Sequence, residues 1–599
     1  MKKLKLYKLI PLWIFGFFVL FSSCSLINKE PNFLVILTDD QGWGDLELTG
    51  NNSLKTPTLN KLAESGTLFT SFYVSPVCSP TRAEILTGNY HPKSGVYGVS
   101  EGGERINLNQ KLISEYFFEN GYKTALFGKW HNGQQHPYHP NSRGFETFIG
   151  YCSGHIGEYF DAELEKNGIF FKSKGYLTDY ITDQTISYID NIENNPFFIF
   201  LSINTPHSPM QVPDEWWEKF RQINPDKLNL PDHSSQNKDL NKNFGDAKNN
   251  TLINHTKAAY AMIENIDWNI SRILNSLIDN NKLENTVILF LGDNGPNGNR
   301  WNDSLKGRKG STDEGGVKSP LIFNYPQINK NLKKRIDKLS SSIDILPTLL
   351  DIADISYDKT IDGESLKSSL NNRISDNKRV IFNHWNGKVS VRSNNYRLDS
   401  ENNLYDIKND PGQTIIINEN KIRDELIYKK ENWINNVLSL TDKSIKRPFT
   451  IVGDKNKLNV LPARDAMYSG KIQRSNRYPN DSFLTNLKEN DSIYWPIEVY
   501  EDGFYKMDIY HTSSKKSLGS QILISSNASK TKVTVDEIFE SQLRGMENDR
   551  VERIESYLKN FTILKTDSIY LTKKSDFLSL KRIKPVDGII DFKRIILYR

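Results

Sequence analysis

Cysteine is scarce in this sequence: among 599 residues only Cys24, Cys78 and Cys152 occur. So few thiols exclude a fold stapled by several disulfides, and no Cys or His cluster with zinc spacing accompanies the acidic motifs described below. Low-complexity tracts are also missing, and hydrophobic residues at 37% with charged residues at 25% exclude a fibrous or largely disordered chain. A basic surplus is absent once its source is located. The formal charge is +5, but Lys2, Lys3, Lys5 and Lys8 have no acid beside them, and without those four it falls to +1. A nearly neutral chain offers no concentrated basic face for nucleic acid.

Those lysines precede an apolar run from Leu9 to Phe21 and the small residues Ser22, Ser23 and Cys24. The order is that of an export signal, and the run is short for a membrane span. Ser22-Ser23-Cys24 resembles the lipobox of bacterial lipoproteins, although Phe21 replaces the usual aliphatic or small residue. The resemblance implies cleavage after residue 23 and a lipid on Cys24. It places the chain in the cell envelope, anchored to the outer membrane on its periplasmic or outer side, with simple cleavage as the alternative. If Cys24 is acylated and Cys78 is used chemically, Cys152 has no partner and no structural disulfide forms.

At this length more than one core is expected. Short apolar runs end abruptly in polar residues: Phe33 to Leu37 before Asp39-Asp40, Ala125 to Phe127 before Lys129-Trp130-His131, Phe197 to Ile203 before Thr205-Pro206-His207, and Val287 to Leu291 before Asp293-Asn294. Runs of this kind suit strands buried on both faces, and helical periodicity lies between them, as from Tyr260 to Ile278. The pattern predicts an α/β fold with a mostly parallel central sheet flanked by helices over 31–380. In such sheets ligands gather beyond the carboxyl ends of strands, so the four polar clusters converge. A small subdomain is expected over 381–444. Period-two pieces such as Ile493 to Tyr500 and Phe504 to Tyr510 predict a further β-rich module over 445–599, in which Trp495 and Tyr500 read as strand packing.

Asp39-Asp40 and Asp293-Asn294 supply hard oxygen ligands, which favour calcium or magnesium over zinc. The run Cys78-Ser79-Pro80-Thr81-Arg82, continuing to Thr87-Gly88, resembles the signature of the type I sulfatases of the alkaline phosphatase superfamily. In that family the first residue of the run is converted to formylglycine (3-oxoalanine). The resemblance extends over about 31 to 430 and takes in Gly128-Lys129-Trp130-His131, Thr205-Pro206-His207, Asp293-Asn294-Gly295, Lys309-Gly310, Glu314-Gly315-Gly316, Asp406 and Asp410-Pro411. Asp313 stands where Tyr is common, and Gly412 near a frequent acid.

The resemblance implies an alkaline-phosphatase-like sulfatase fold and one Ca2+ held by Asp39, Asp40, Asp293, Asn294 and modified residue 78. It further implies a sulfatase-maturing enzyme acting on Cys78. Thiol attack on sulfur would leave a thiosulfate with no easy exit. In an aldehyde hydrate one hydroxyl attacks sulfur, and loss of the second hydroxyl's proton releases sulfate. His131 is then the candidate base. His207 and Lys309 are the candidates to assist the departing oxygen, and Arg82 and Lys129 to hold sulfate oxygens. His155, Tyr159, Asp161, Arg300 and Trp301 are candidate substrate contacts, with Trp301 placed to stack on a sugar ring. The implied activity is hydrolysis of sulfate esters on sulfated polysaccharides or oligosaccharides, algal cell-wall glycans among them. A phosphodiester or phosphonate hydrolase of the same superfamily, and a catalytically dead glycan-binding protein, stay open as alternatives.

Overall fold

The computed structural model describes residues 30–599 apart from 229–249, 330–331, 371–377, 442, 444–446, 455–456, 458 and 585–587. The expected export segment and Cys24 lie outside the described residues. Among those described, no helix is long and apolar enough to cross a membrane.

Five parallel strands make the heart of the larger, N-terminal region: β1 (Asn32–Thr38), β2 (Lys123–Lys129), β3 (Thr147–Tyr151), β4 (Phe197–Ser202) and β5 (Thr286–Gly292). They lie side by side in the order β5-β1-β4-β2-β3. Further strands extend both edges to ten, with Leu321–Asn324 antiparallel beside β5 and Glu163–Lys166 antiparallel beside β3. The apolar runs form strands because both faces are covered. Along β1, Leu34 and Ile36 enter one core while Phe33, Val35 and Leu37 enter the other, the two-residue alternation of a strand carrying both layers. The long helix Asn250–Asp279 packs on the first core, with Ala258 to Leu277 buried along one side. Helix α1 (Cys78–Thr87) packs on the second through Ala83, Ile85 and Leu86.

Every residue of α1 is buried, including Glu84. Its carboxyl accepts from Ser342 Oγ at 2.5 Å, Ser75 Oγ at 2.9 Å and the His91 N–H at 3.3 Å. No cation is among these partners, and burial pushes its pKa up to about 7. A carboxyl that binds its proton more tightly when folded loses stability as pH rises from its unfolded value through about 7. Glu84→Gln does not titrate. Its stability relative to wild type is expected to improve by about 2 kcal/mol between pH 5 and pH 8, read from urea midpoints; a difference that stays constant over this range would show that Glu84 keeps its ordinary pKa.

A four-stranded antiparallel sheet, Ile381–Trp385 to Leu404–Asp406, follows with the helix Asn420–Asn436. Beyond it, two β-sheets share one core. Trp495 of one sheet is fully buried with its ring centroid 5.6 Å from that of Phe592 in the other, and its indole N–H donates to the Pro462 carbonyl. This C-terminal region is a β-sandwich. Tyr500 differs from its expected strand packing: it stands just past Ser492–Val499, is 41% exposed, and meets the His136 ring edge-on.

Candidate active site

The register of β1 against β5 pairs Thr38 with Gly292, so Asp39 and Asp293 leave adjacent strand ends. The Asp39 N–H donates to the Thr205 carbonyl and the Asp293 N–H to the Thr38 carbonyl, locking three strand-end loops together. Asp40 and His131 both turn through positive φ, at 65° and 64°, which re-aims each side chain at the end of its strand. Cys78 opens α1. Pro80 is tolerated there because the first helical turn needs no intrahelical N–H donor at that point, and the spacing of four places Arg82 on the same face as Cys78. Thr81 Oγ accepts from the Ser75 N–H at 2.9 Å and fixes the entry to the helix.

Three carboxylates face three cations. Lys129 Nζ lies 2.6 Å from Asp39 Oδ2, Lys309 Nζ 2.6 Å from Asp40 Oδ1, and Arg82 Nη2 2.9 Å from Asp293 Oδ2. Arg82 Nη1 also donates to Ser202 Oγ at 2.5 Å and to the Lys129 carbonyl at 3.1 Å. Burial opposes ionisation of Asp39, yet Lys129, His207 and Arg82 together hold it well below the usual carboxylate range. Burial, reinforced by the Asp39 carboxylate, pushes Asp293 up despite Arg82. Lys309 keeps its proton firmly because Asp40 outweighs the cost of burial.

Asp39 Oδ1, Asp40 Oδ2 and Asn294 Oδ1 are buried without a hydrogen-bond partner among the described residues. Orphaned buried oxygens of this kind are costly unless a cation takes them up. Ligand atoms of Asp39, Cys78 and Asp293 lie within 4.8 Å of one another. The donor set therefore fits a hard divalent cation. Because the carboxylates are already matched by cations, such an ion leaves the site net positive and suited to an anion.

His131 Nε2 lies 2.8 Å from the Val99 carbonyl while Nδ1 has no hydrogen-bond partner among the described residues. The carbonyl fixes the proton on Nε2, so Nδ1 is the accepting nitrogen. Burial, then Lys129, depresses its pKa well below the ordinary range and keeps the ring neutral. The ring lies over Gly154, where an added Cβ would come within 2.2 Å of Nε2. Gly154→Ala is accordingly expected to displace the imidazole and lower kcat at least about tenfold with little change in KM; unaltered kcat would free His131 from any role. His207 donates from Nδ1 to the Ser208 carbonyl at 2.7 Å, which leaves Nε2 3.7 Å from Asp40 Oδ2.

Above Cys78 opens a cavity of about 610 Å³ lined by His131, His155, His207, Arg308, Lys309 and Trp385 from the catalytic region. Tyr478, Asn480 and the loop residues Glu552 to Glu555 line it from the C-terminal sandwich. His155 is thus brought to the site, and Tyr159 supports it by donating its hydroxyl to the His207 carbonyl at 2.8 Å. Three expected substrate contacts are not there. Arg300 is buried, bound through Nε and Nη2 to Asp45 at 2.7 and 2.8 Å, and donates to the Asp40 carbonyl at 2.5 Å, so it braces a ligand loop from behind. Trp301 packs under Gly50. Asp161 is exposed and closes a turn by accepting from the Gly175 N–H. The aromatic rings that do line the cavity, Trp385 and Tyr478, stand in segments where sequence periodicity showed only short strands and turns.

A family model described as Sulfatase matches residues 31–355, and one described as N-sulphoglucosamine sulphohydrolase, C-terminal, matches 309–438. Both stop short of the sandwich. The uncharacterized sulfatase YdeN of Escherichia coli is 30% identical over 396 residues, covering 56% of this chain and 65% of YdeN. An arylsulfatase of Clostridium perfringens is 27% identical over 455 residues, covering 67% of this chain and 93% of that enzyme. Among solved structures, Ps i-CgsB in complex with k-i-k-neocarrahexaose is similar with a TM-score of 0.59 and 27% identity, covering 68% of this chain and 93% of that one.

Proposed function

The chain belongs to the sulfatase family of the alkaline phosphatase superfamily, and from that premise we propose that it is an exported sulfatase acting on sulfated saccharides through residue 78. The observation that carries this reading is Cys78 at the cavity floor with ligand atoms of Asp39 and Asp293 within 4.8 Å, backed by the buried orphaned oxygens of Asp39, Asp40 and Asn294. Calcium in that oxygen cage supplies charge to polarise nucleophile and sulfate, and formylglycine at position 78 supplies, as its hydrate, a nucleophile that can later let sulfate go.

The chain's own residues do the remainder. Arg82 and Lys129 present fixed positive charge beside residue 78, where sulfate oxygens gain most from donors already in place. His131 accepts a proton at Nδ1, its other nitrogen being committed to Val99. Lys309, kept charged by Asp40, offers its ammonium to the departing oxygen, and His207 stands on the same wall. Cys78, Arg82 and the acidic set are all present, whereas a lapsed glycan-binding relative has no use for them. Export and acylation of Cys24 belong to the same proposal; Cys24→Ala is the variant that separates lipid anchoring from simple cleavage, by palmitate labelling and fractionation.

The test is made on protein produced with a sulfatase-maturing enzyme. Mass spectrometry of the Cys78 peptide is expected to show aldehyde in place of thiol, and sulfate release is expected from at least one monosulfated saccharide. Chelation with EGTA is expected to stop turnover and lower the unfolding midpoint, and calcium to restore both. A peptide that keeps its thiol mass, with no sulfate released from any saccharide, sinks the proposal.

A further inference from the structure

The C-terminal sandwich lies beyond the matched residues, yet its loop 544–556 is fastened to the segment that carries His207. Gln211 Nε2 donates to the Gly545 carbonyl at 2.7 Å and to Asp549 Oδ1 at 2.8 Å, and the Arg550 N–H donates to the Met210 carbonyl at 2.9 Å. Ser208 Oγ donates to Glu555 Oε1 at 2.5 Å. The loop is therefore a fixed part of the cavity wall and not an appendage resting on it.

The charge it shows the cavity is negative. Arg553 is buried, with its guanidinium bonded to Asp549, the Gly157 carbonyl and the Gly545 carbonyl, so its charge is neutralised within the loop. Glu552 is exposed and Glu555 half-buried, and both line the cavity. Across the cavity the cations stand near Cys78: Arg82, Lys129 and Lys309, with Arg308 beside Lys309. A substrate that places its sulfate on the floor thus turns the rest of its ring towards carboxylates. Hydroxyl groups donate well to carboxylates; a second sulfate or a uronate carboxylate is repelled by them.

We infer that loop 544–556 is the selectivity wall of this active site, and that Glu555 with Glu552 restricts the enzyme to saccharide units whose only anion is the sulfate being removed. This rests on the sulfatase reading above. Like charges a few ångströms apart near a protein surface repel strongly enough to move a rate constant tenfold, so the preference is measurable as a ratio.

The experiment uses the full-length matured protein. A screen of monosulfated galactose, N-acetylgalactosamine and glucosamine, with oligosaccharides of each, identifies a cleaved unit, and kcat/KM is compared with that of its disulfated counterpart. Wild type is expected to favour the monosulfate at least about tenfold. Glu555→Gln, which keeps an acceptor for Ser208, and Glu552→Gln/Glu555→Gln are expected to narrow the ratio progressively, with unchanged unfolding midpoints. If a monosulfate is cleaved but the wild-type ratio is near one, or the double variant leaves it unmoved, the selectivity wall is overturned and the sulfatase reading stands. If no saccharide is cleaved by protein carrying the aldehyde, both fall.

Discussion

Cys78→Ala is expected to cut sulfate release by a factor on the order of 10^4 or more, while costing only about 1 kcal/mol of stability for the lost sulfur. The same loss is expected of wild-type protein made without maturation. Burial pushes the Cys78 thiol up to about 11, so at pH 7 only about one molecule in 10^4 carries a thiolate. Lys129 and Lys309 oppose this shift without cancelling it. A site tuned for a cysteine nucleophile lowers the thiol's pKa; this one raises it. Side-by-side assay of matured wild type, unmatured wild type and Cys78→Ala decides the matter, and unmatured protein as active as matured protein would mean that the thiol itself does the chemistry.

Arg82→Met is the second large effect, and it strikes stability and activity together. Arg82 and Asp293 are both buried, 1% and 0% exposed in their side chains. Removing one member of such a pair leaves an uncompensated charge and costs about 3–5 kcal/mol. Loss of a fixed donor beside the reacting sulfur is expected to lower kcat by about 10^2–10^3. The stability cost depends on Asp293 being ionised, and burial and Asp39 push it the other way. Arg82→Met/Asp293→Asn resolves this: much of the lost stability is expected to return while activity does not. Unfolding measurements showing the single variant as stable as wild type would mean that Asp293 is already neutral in the fold.

The catalytic sheet was legible because its strands are buried on both faces, which writes continuous apolar runs into the sequence, and because each run stops where the chain turns into the site. Asp39, Lys129, His207 and Asp293 are readable as strand-end residues for that reason, and their roles through the resemblance to the sulfatases. Arg300 misled because a buried arginine and a ligand-binding arginine look alike in sequence; its partner Asp45 is 255 residues distant, and no local pattern joins them. Trp301 and Asp161 failed similarly, since neither packing under Gly50 nor closing a turn leaves a trace in periodicity. Glu552 and Glu555 were invisible for the opposite reason. They sit in a polar loop between strands whose local pattern says only that it is not a strand, and their place in the cavity follows from Gln211, Ser208 and Met210 far away in the chain.

The burial of Cys78 also bears on the order of events during biogenesis. In the finished fold it is 4% exposed, at the head of a helix buried along its whole length. A second enzyme that must grip the backbone around residue 78 has no approach to it there. Under the proposed function, oxidation of Cys78 is expected while this stretch is still extended, so a maturing enzyme would race the chain's own folding. The cavity wall contributed by residues 544–556 lies far downstream of residue 78 in the chain, so it closes only after that stretch has been made, which lengthens the interval in which that race can be won.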